Sequence, residues 1–333
     1  METVRVALDA MGGDYAPSQM VKGAVDAVKE YDRLQVLLVG DEKAVREELT
    51  SCGYNGDRIR IIPASEIIET AEHPVDAIRR KKDSSMVVGL KLVKNGEAEA
   101  FASSGNSGAV MVGGQAIVGR IRGIERPPFA FVIPTEKGCS MLLDCGANVD
   151  TRPDHLLKFA KIGSFYMRDI IGVKDPSVGL INIGAEEDKG NALARETYPL
   201  LKDCTEIRFI GNVEAREVPV GAADVLVCDG FAGNIMLKMY EGTAAVLLRV
   251  IKKGLMGSLR TKIGGLLIKP ALKDVMKDYD ASAYGGAPLL GLKGLVLKMH
   301  GNAKHSEVKN AMLQCIQFHD AQIAKKIEEH IAQ

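Results

Sequence analysis

The sequence predicts an α/β protein, a three-layer α/β/α arrangement around a mostly parallel mixed sheet. Short apolar runs that end in Gly, Asn, Asp or Ser alternate with longer segments of helical spacing, the pattern of a parallel sheet covered on both faces. Glycine accounts for 35 of the 333 residues, above the usual share of about 7%, and the glycines cluster after the apolar runs. With 46% hydrophobic residues, the chain has ample material for a core.

Eight apolar runs are predicted as strands, each followed by a polar turn. In chain order they are Val4–Leu8, Leu34–Val39, Ala98–Ala102, Met141–Leu143, Val178–Ile183, Ile207–Ile210, Val225–Val227 and Leu295–Met299. Ligands of open α/β sheets bind beyond the carboxyl ends of the strands, so the turns are expected to converge on one cleft. Any single turn can equally be a plain connection whose Ser or Asp caps the next helix. No linker or repeat divides the chain, and we expect one continuous unit over residues 1–333.

Composition excludes several classes of function. Lys plus Arg and Asp plus Glu number 43 each, so the net charge of zero argues against nucleic-acid binding through overall charge. The six cysteines are widely spaced without CxxC, which favours a reducing cytoplasm and free thiols, and no apolar run approaches the ~18 residues of a membrane span. The motifs GxxxxGK(S/T), GxGxxG, HExxH and GxSxG are missing, so neither a cofactor nor a metal is expected. Cys228 beside Asp229 leaves a thiol nucleophile formally open.

The residues that remain suit an oxyanion. The turn at 103–108 precedes an apolar helix and offers hydroxyls, an amide and backbone N–H groups to a phosphate. The predicted phosphate-binding residues are Ser103, Ser104, Gly105, Asn106 and Ser107.

Two further side chains are candidates for charge stabilisation. Lys189 lies in a turn framed by Gly184 and Gly190 and can neutralise a phosphate or an oxyanion, or be a solvated lysine of a first helical turn. Asn234 lies at a predicted helix start, where it is either a donor to the substrate or an N-cap. Supporting residues in neighbouring turns are Asp9, Gly12, Gly13, Asp14, Asn191, Asp229 and His300.

A basic amphipathic segment lies apart from these turns. From Arg249 to Lys273 the chain carries seven basic residues and no acidic one, and the segment 249–275 is expected to form a hairpin of two short helices. The pattern is interrupted by Gly264-Gly265 and ended by Pro270. Such a segment can rest on anionic lipid or dock an acidic partner, or it can be an ordinary helix with one core face and one solvated face; the residues alone leave both open. The expected membrane-contacting residues are Leu255, Leu259, Ile263, Leu266 and Leu267.

Nearly the whole chain resembles the bacterial phosphate acyltransferase (PlsX) family. The resemblance begins at Asp9-Ala-Met-Gly-Gly-Asp-Tyr-Ala-Pro17 and continues in order through nine further blocks. These are Arg79-Arg-Lys-Lys-Asp-Ser-Ser-Met86, Ser103-Ser-Gly-Asn-Ser-Gly108, Val118-Gly-Arg-Ile-Arg-Gly-Ile-Glu-Arg-Pro127, Leu143-Asp-Cys-Gly-Ala-Asn-Val149, Gly184-Ala-Glu-Glu-Asp-Lys-Gly-Asn191, Gly211-Asn-Val-Glu-Ala-Arg216, Asp229-Gly-Phe-Ala-Gly-Asn234, Tyr284-Gly-Gly-Ala287 and Leu290-Gly-Leu-Lys-Gly294, besides the hairpin segment around Leu255–Leu267.

The resemblance implies conversion of acyl-[acyl carrier protein] and inorganic phosphate into acyl phosphate for phospholipid synthesis. It further implies a fold like the isocitrate and isopropylmalate dehydrogenases and phosphotransacetylases, a homodimer, and peripheral membrane association near the glycerol-3-phosphate acyltransferase that consumes the product. Family active-site residues match Lys189 and Asn234, and the family's membrane-contacting hairpin corresponds to the segment around Leu255–Leu267. Arg79–Lys82 is a candidate contact for the acidic carrier protein.

The mechanism expected is direct attack of bound phosphate on the thioester carbonyl. Ser103, Asn106 and Ser107 would hold phosphate in line, while Lys189 and Asn234 would stabilise the tetrahedral oxyanion. Asp9 or Asp229 would then orient groups rather than deprotonate them. Alternatives are a phosphotransacylase that uses acyl-coenzyme A, a metal- and NAD-dependent decarboxylating dehydrogenase of the same fold, and a non-catalytic scaffold at a lipid surface.

Overall fold

The computed structural model describes residues 2–278 and 285–331, with side chains outside 274–278. Tyr284, which opens one of the motifs above, lies outside the described residues. The described strands form two sheets rather than the single sheet predicted, although the α/β class is as expected. The first has the order β10-β11-β4-β1-β2-β3 and the second β5-β6-β9-β7-β8, with only β10 and β5 antiparallel to their neighbours. The strands are β1 (Val4–Asp9), β2 (Leu34–Gly40), β3 (Ile59–Pro63), β4 (Ala100–Ser103), β5 (Ala130–Thr135), β6 (Gly138–Leu143), β7 (Ser177–Asn182), β8 (Arg208–Glu214), β9 (Val225–Val227), β10 (Ala287–Pro288) and β11 (Leu295–Lys298).

Helices cover both faces of each sheet. They are α1 (Ser18–Glu30), α2 (Glu42–Ser51), α3 (Pro74–Arg80), α4 (Ser85–Lys94), α5 (Ser107–Gly113), α6 (Pro153–Tyr166), α7 (Ala192–Lys202), α8 (Gly230–Leu255), α9 (Leu259–Asp278), α10 (His305–Ala321) and α11 (Ile323–Ile331). Short π-helical segments, Gly114–Val118 and Met167–Ile171, extend α5 and α6, and a 3₁₀ turn spans Ala215–Glu217. In the part of the chain that is described, no helix is both long enough and apolar enough to cross a bilayer.

Alternation along β1 shows how the layers are built. Val6 and Leu8 lie in one core cluster with Met20 of α1, while Ala7 lies in a second cluster with Met86 of α4. Successive side chains of a strand face opposite sides of its sheet, so β1 is covered on both faces. The first cluster also contains Met141 and Phe159 of the second sheet's side, so the two sheets share one continuous core.

The basic segment forms a helical hairpin with different boundaries from those predicted. Its turn is at residues 256–258, where the hydroxyl of Ser258 accepts a hydrogen bond from the backbone of Thr261 at 3.1 Å and so caps α9. Gly264-Gly265 and Pro270 lie inside α9, so neither interrupts nor ends it. The expectation failed because the glycines and the proline lie in an exposed helix. A glycine there costs only about 1 kcal/mol, and the carbonyl that the proline leaves without a donor can face water.

Candidate active site

A polar cleft of about 750 Å³ lies between the turns of the first sheet and one face of α8. The turns after β1, β4 and β11 form one wall, and the turn after β6 and α8 form the other. Predicted residues that line it are Asp14, Ser104, Gly105, Asn106, Ser107, Asn234 and His300. Convergence of turns on one cleft therefore holds for β1, β4 and β11 of the first sheet and for β6, whereas the turn after β2 does not line the cleft.

Glycine lets the three turns of the first wall approach one another closely. A Cβ on Gly12 would lie 2.5 Å from Oδ2 of Asp9 and 2.8 Å from the backbone nitrogen of Gly105. Gly13 has φ +101°, and a Cβ there would lie 2.7 Å from the Cβ of Ser104. Any side chain at either position would force the turns apart.

Asp9 is the buried carboxylate behind this wall. The hydroxyl of Ser103 donates to its Oδ2 at 2.7 Å, and the backbone N–H of Met11 donates to Oδ1 at 3.1 Å. Burial raises the pKa of Asp9, and hydrogen bonds from Ser85, Ser103 and backbone amides only partly oppose that rise. Ser103 also accepts from the backbone N–H of Gly105 at 2.9 Å, so Asp9 and Ser103 hold the shape of the turn rather than line the cleft.

Ser104 and Lys298 lie side by side on the same wall. Ser104 is 2% exposed, and within the described residues its hydroxyl has no hydrogen-bond partner. Lys298 ends β11, where it is the ladder partner of Ser103, and its ammonium donates to the carbonyl oxygens of Ser104 (3.3 Å) and Met299. Burial lowers the pKa of Lys298 to about 8 in spite of the carboxylates around it. Sequence analysis missed this lysine; its only local signal was a cation closing an apolar strand.

Asn106 has a structural role that differs from the one predicted. Its side-chain oxygen accepts from the backbone N–H of Ala109 at 3.0 Å, which caps α5. Its amide donates to the carbonyl oxygens of Thr70 at 3.1 Å and Glu72 at 3.0 Å. Both amide hydrogens are thereby committed to the loop before α3, and the prediction that this side chain holds phosphate lacks a free donor.

The turns after β7 and β9 line a different cavity, an apolar groove of about 1030 Å³. Asp229 and Asn191 both line it, and both are N-caps: Asp229 accepts from the backbone of Ala232 at 2.7 Å and Asn191 from that of Ala194 at 2.9 Å. The prediction of one shared cleft is therefore wrong. These turns belong to the second sheet, whose pairing no local sequence pattern specifies.

Lys189 and Asn234 lie beside different cavities of the described chain, because Gly190 and Asn191 line the groove and Asn234 lines the cleft. Asn234 lies one turn inside α8 and lines the polar cleft, so it is not the N-cap that the alternative required. The groove and the cleft are lined by neighbouring faces of α8: Phe231, Ile235 and Met239 line the groove, whereas Asn234 and Lys238, each three residues beyond a groove residue, line the cleft. Lys189 is exposed in the turn beside the groove, where its carbonyl accepts from the side chain of Asn182.

Asp144 orders the part of the second wall that carries Cys145 and Gly146. This fully buried carboxylate accepts hydrogen bonds from the backbone of Phe129 at 2.9 Å and of Ala147 at 3.1 Å, and from both backbone and side chain of Asn148. Burial raises its pKa. The resemblance included this block, but no role was assigned to Asp144.

One group of possible metal ligands occurs among the described residues, at Glu125, Asp154 and His155. The guanidinium of Arg152 donates to Glu125 at 2.7 Å and to Asp154 at 3.1 Å. A cation already occupies the position between the carboxylates, and none of these side chains lines the polar cleft.

The fold is that of the phosphotransacetylases. A phosphotransacetylase from Streptococcus pyogenes matches with a TM-score of 0.62 and 18% identity, covering 97% of this chain and 94% of that one. A branched-chain phosphotransacylase from Enterococcus faecalis V583 matches with a TM-score of 0.56 and 15% identity, covering 95% and 98%. At these identities the likeness shows the fold.

Sequence comparison narrows the class to a family. The chain belongs to the family described as fatty acid synthesis protein, whose profile matches residues 4–326. It is 47% identical over 330 residues to the phosphate acyltransferase of Clostridium novyi, covering 99% of each chain. It is 48% identical over 326 residues to that of Clostridium botulinum ATCC 19397, covering 98% of this chain and 97% of the relative. The resemblance is confirmed, and the protein is an acyltransferase enzyme of the phosphate acyltransferase family.

Proposed function

We propose that this enzyme transfers the fatty acyl group of acyl-[acyl carrier protein] to inorganic phosphate, giving acyl phosphate for phospholipid synthesis. Acyl transfer to phosphate follows from the family. That the acyl donor is a carrier-protein thioester, rather than another thioester, is inferred from the resemblance of the motif blocks. The observation that carries the chemistry is the polar cleft, where hydroxyl, amide and ammonium donors face one space.

The reaction is a direct displacement without an acyl-enzyme. An oxygen of hydrogen phosphate forms a bond to the thioester carbon, the carbon–sulfur bond then breaks, and the phosphate's proton passes to the departing thiolate. Cys145 is the thiol that lines the cleft, and burial raises its pKa well above the ordinary value, so it is not the ready thiolate that nucleophilic catalysis requires. Cys228 faces the groove, and burial raises its pKa in the same way.

Asn234 is the donor proposed for the tetrahedral oxyanion. Its side chain lines the cleft beside Gly146, and a Cβ on that glycine would lie 3.4 Å from the Cβ of Asn234. Loss of one such donor typically reduces turnover by about 10²–10³-fold. The proposed role of Lys189 rests on the motif alone, since its turn borders the groove and not the cleft.

The docking site proposed for the acidic carrier protein is α3. Arg79 and Arg80 are exposed there, and α3 packs against the start of α5 at the rim of the cleft, where Pro74 meets Gly108. Arg79→Glu with Arg80→Glu is expected to raise the KM for the carrier-protein thioester about tenfold or more, leaving the KM for phosphate unchanged. Arg46→Glu on α2 is the matched control. Equal KM values for all three proteins would refute this docking site.

The other proposals concern assembly and location. We propose a homodimer, peripheral attachment to a membrane through the helical hairpin, and proximity to the membrane glycerol-3-phosphate acyltransferase. Analytical ultracentrifugation tests the first, with a mass of twice 35.8 kDa expected.

The donor is tested by incubating the protein with palmitoyl-[acyl carrier protein] and inorganic phosphate, and trapping acyl phosphate with hydroxylamine. Palmitoyl-coenzyme A in place of the carrier-protein thioester is the control. Phosphate-dependent product from the carrier thioester, with little from coenzyme A, is expected. Preference for coenzyme A would keep the reaction class and overturn the carrier-protein donor, and no product from either would overturn the proposal.

A further inference from the structure

We propose that Lys298 and Ser104 form the anion subsite of the cleft, with the Lys298 ammonium as the cation that holds inorganic phosphate. The inference rests on the proposed function, and it differs from the expectation that Lys189 supplies the positive charge. Three observations support it.

The first observation is an unused hydroxyl. Ser104 is 2% exposed, lines the cleft, and makes no hydrogen bond through Oγ within the described residues. A buried polar group without a partner is expensive, so such a group at a cleft wall indicates a ligand that completes it. The hydroxyl can donate to a phosphate oxygen.

The second observation is that the Lys298 ammonium has one N–H donor without an acceptor among the described residues. Lysine has three N–H donors, and Lys298 uses two of them on the carbonyl oxygens of Ser104 and Met299. Among the described residues Lys298 has no ion-pair partner. A bound anion would supply an acceptor for the third N–H and a negative charge at ion-pair distance, which the more distant carboxylates of Asp9, Asp14 and Glu307 do not.

The third observation is that one wall positions both groups. Lys298 is the ladder partner of Ser103, and its bond to the Ser104 carbonyl fixes the ammonium beside that residue. The Asp9–Ser103 hydrogen bond and the close approach of Gly12 hold the same turn from behind. Lys189 makes no comparable contact with this wall.

Kinetics with inorganic phosphate test the subsite. Lys298→Met is expected to raise the KM for phosphate about 10- to 100-fold, the loss of a hydrogen bond to a charged group, while the KM for the acyl donor stays unchanged. Lys298→Arg keeps the charge and is expected to recover part of the loss. Lys293→Met, an exposed lysine just before the same strand, is the control. An unchanged KM for phosphate in Lys298→Met, or a fall in kcat alone, would overturn the inference.

A pH profile separates binding from a structural role. The charged groups that face Lys298 are Asp9 of β1, Asp14 of the following turn, Glu307 of α10 and Lys238 of α8. With these around it, the ammonium loses its proton near pH 8, so the wild-type KM for phosphate is expected to rise above that pH. Lys298→Arg stays charged and should show no such rise. Identical pH profiles of the KM for phosphate in the wild type and in Lys298→Arg would refute the assignment of Lys298 as the phosphate-binding cation.

Two further measurements test the subsite if Lys298→Met does not fold or if the wild type uses neither thioester. Should Lys298→Met not fold, Ser104→Ala removes an unbonded hydroxyl and is expected to raise the KM for phosphate about tenfold in a folded protein. Should the wild type not use either thioester, titration of the full chain with inorganic phosphate by calorimetry decides independently. Weaker binding to Lys298→Met than to Lys293→Met supports the subsite, and equal binding refutes it.

Discussion

Membrane attachment through the helical hairpin can be tested at Leu259, the first residue of α9. Leu259 is 77% exposed, and its neighbours on the same helix, Ile263, Leu266 and Leu267, are 57%, 70% and 76% exposed. Leu255, the fifth residue predicted to contact the membrane, is less exposed than these four because it packs beside Gly265 of α9 and is half-buried. Seven basic residues between Arg249 and Lys273 surround these apolar side chains without an acidic one. The combination is typical of a helix that lies in an anionic interface.

The size of the effect follows from the exposure of Leu259. Burying a whole leucine side chain contributes about 1.5–3 kcal/mol, so the exposed part contributes about 1–2 kcal/mol on insertion. Leu259→Glu loses that contribution and adds a charge that anionic lipid repels by about 1 kcal/mol. The sum of about 2–3 kcal/mol corresponds to a partition coefficient roughly 30- to 150-fold lower.

The assay is co-sedimentation with vesicles of phosphatidylglycerol and phosphatidylethanolamine. Leu200→Glu is the matched control, because Leu200 is 40% exposed on α7, outside the hairpin. Turnover in vesicle-free buffer should be the same for both variants. A Leu259→Glu protein that sediments with vesicles as well as the control does would refute membrane attachment through this face.

Three further predictions concern the cleft. Gly12→Ala is expected to destabilise the fold and reduce turnover, because the new methyl would meet the Asp9 carboxylate at 2.5 Å; a wild-type melting temperature and rate would contradict the close approach of the turns. Asn234→Ala should lower kcat by about 10²–10³-fold, because one donor to the oxyanion is lost. A near-wild-type kcat in Lys189→Ala would show that Lys189 does not stabilise the oxyanion. Between about pH 8, the folded pKa of Lys298, and its unfolded value near 10.4, the unfolded chain holds the extra proton, so stability should rise with pH relative to Lys298→Met. The gain is at most about 3 kcal/mol, measured by urea unfolding at pH 7.5 and 9.5, and a pH-independent difference would contradict the burial of a charged lysine.

The local sequence pattern was sufficient to predict where many of the strands end and where the polar turns that follow them begin. The apolar runs predicted eight of the described strands to within a few residues, and the rule for parallel sheets correctly brought Asp14, Ser104 and His300 to one cleft. Pairing between strands was not accessible in the same way, because hydrogen bonding between β6, β9 and β7 depends on residues far apart in sequence. The second sheet and its separate groove therefore could not be predicted.

The role of a side chain could be predicted from sequence only where no other part of the chain takes up its hydrogen-bond donors. Asn106 has the residue type of a phosphate ligand, yet three main-chain contacts more than 30 residues away take up its amide. Lys298 has the pattern of a solvated lysine at a strand end. Its importance depends on the turn after β4, where Ser104, 194 residues earlier in the chain, supplies a carbonyl oxygen.

The length of α8 sets a geometric limit on delivery of the product. Its 26 residues span about 39 Å, from the Asn234 end to the tip of the hairpin. A protein attached to a bilayer by that tip holds its cleft at most about this far above the lipid headgroups. Under the proposed attachment, an acyl phosphate released there would have to cross that distance to the bilayer, and the exposed apolar side chains of Phe231, Ile235, Met239, Leu247 and Val250 lie along the same helix.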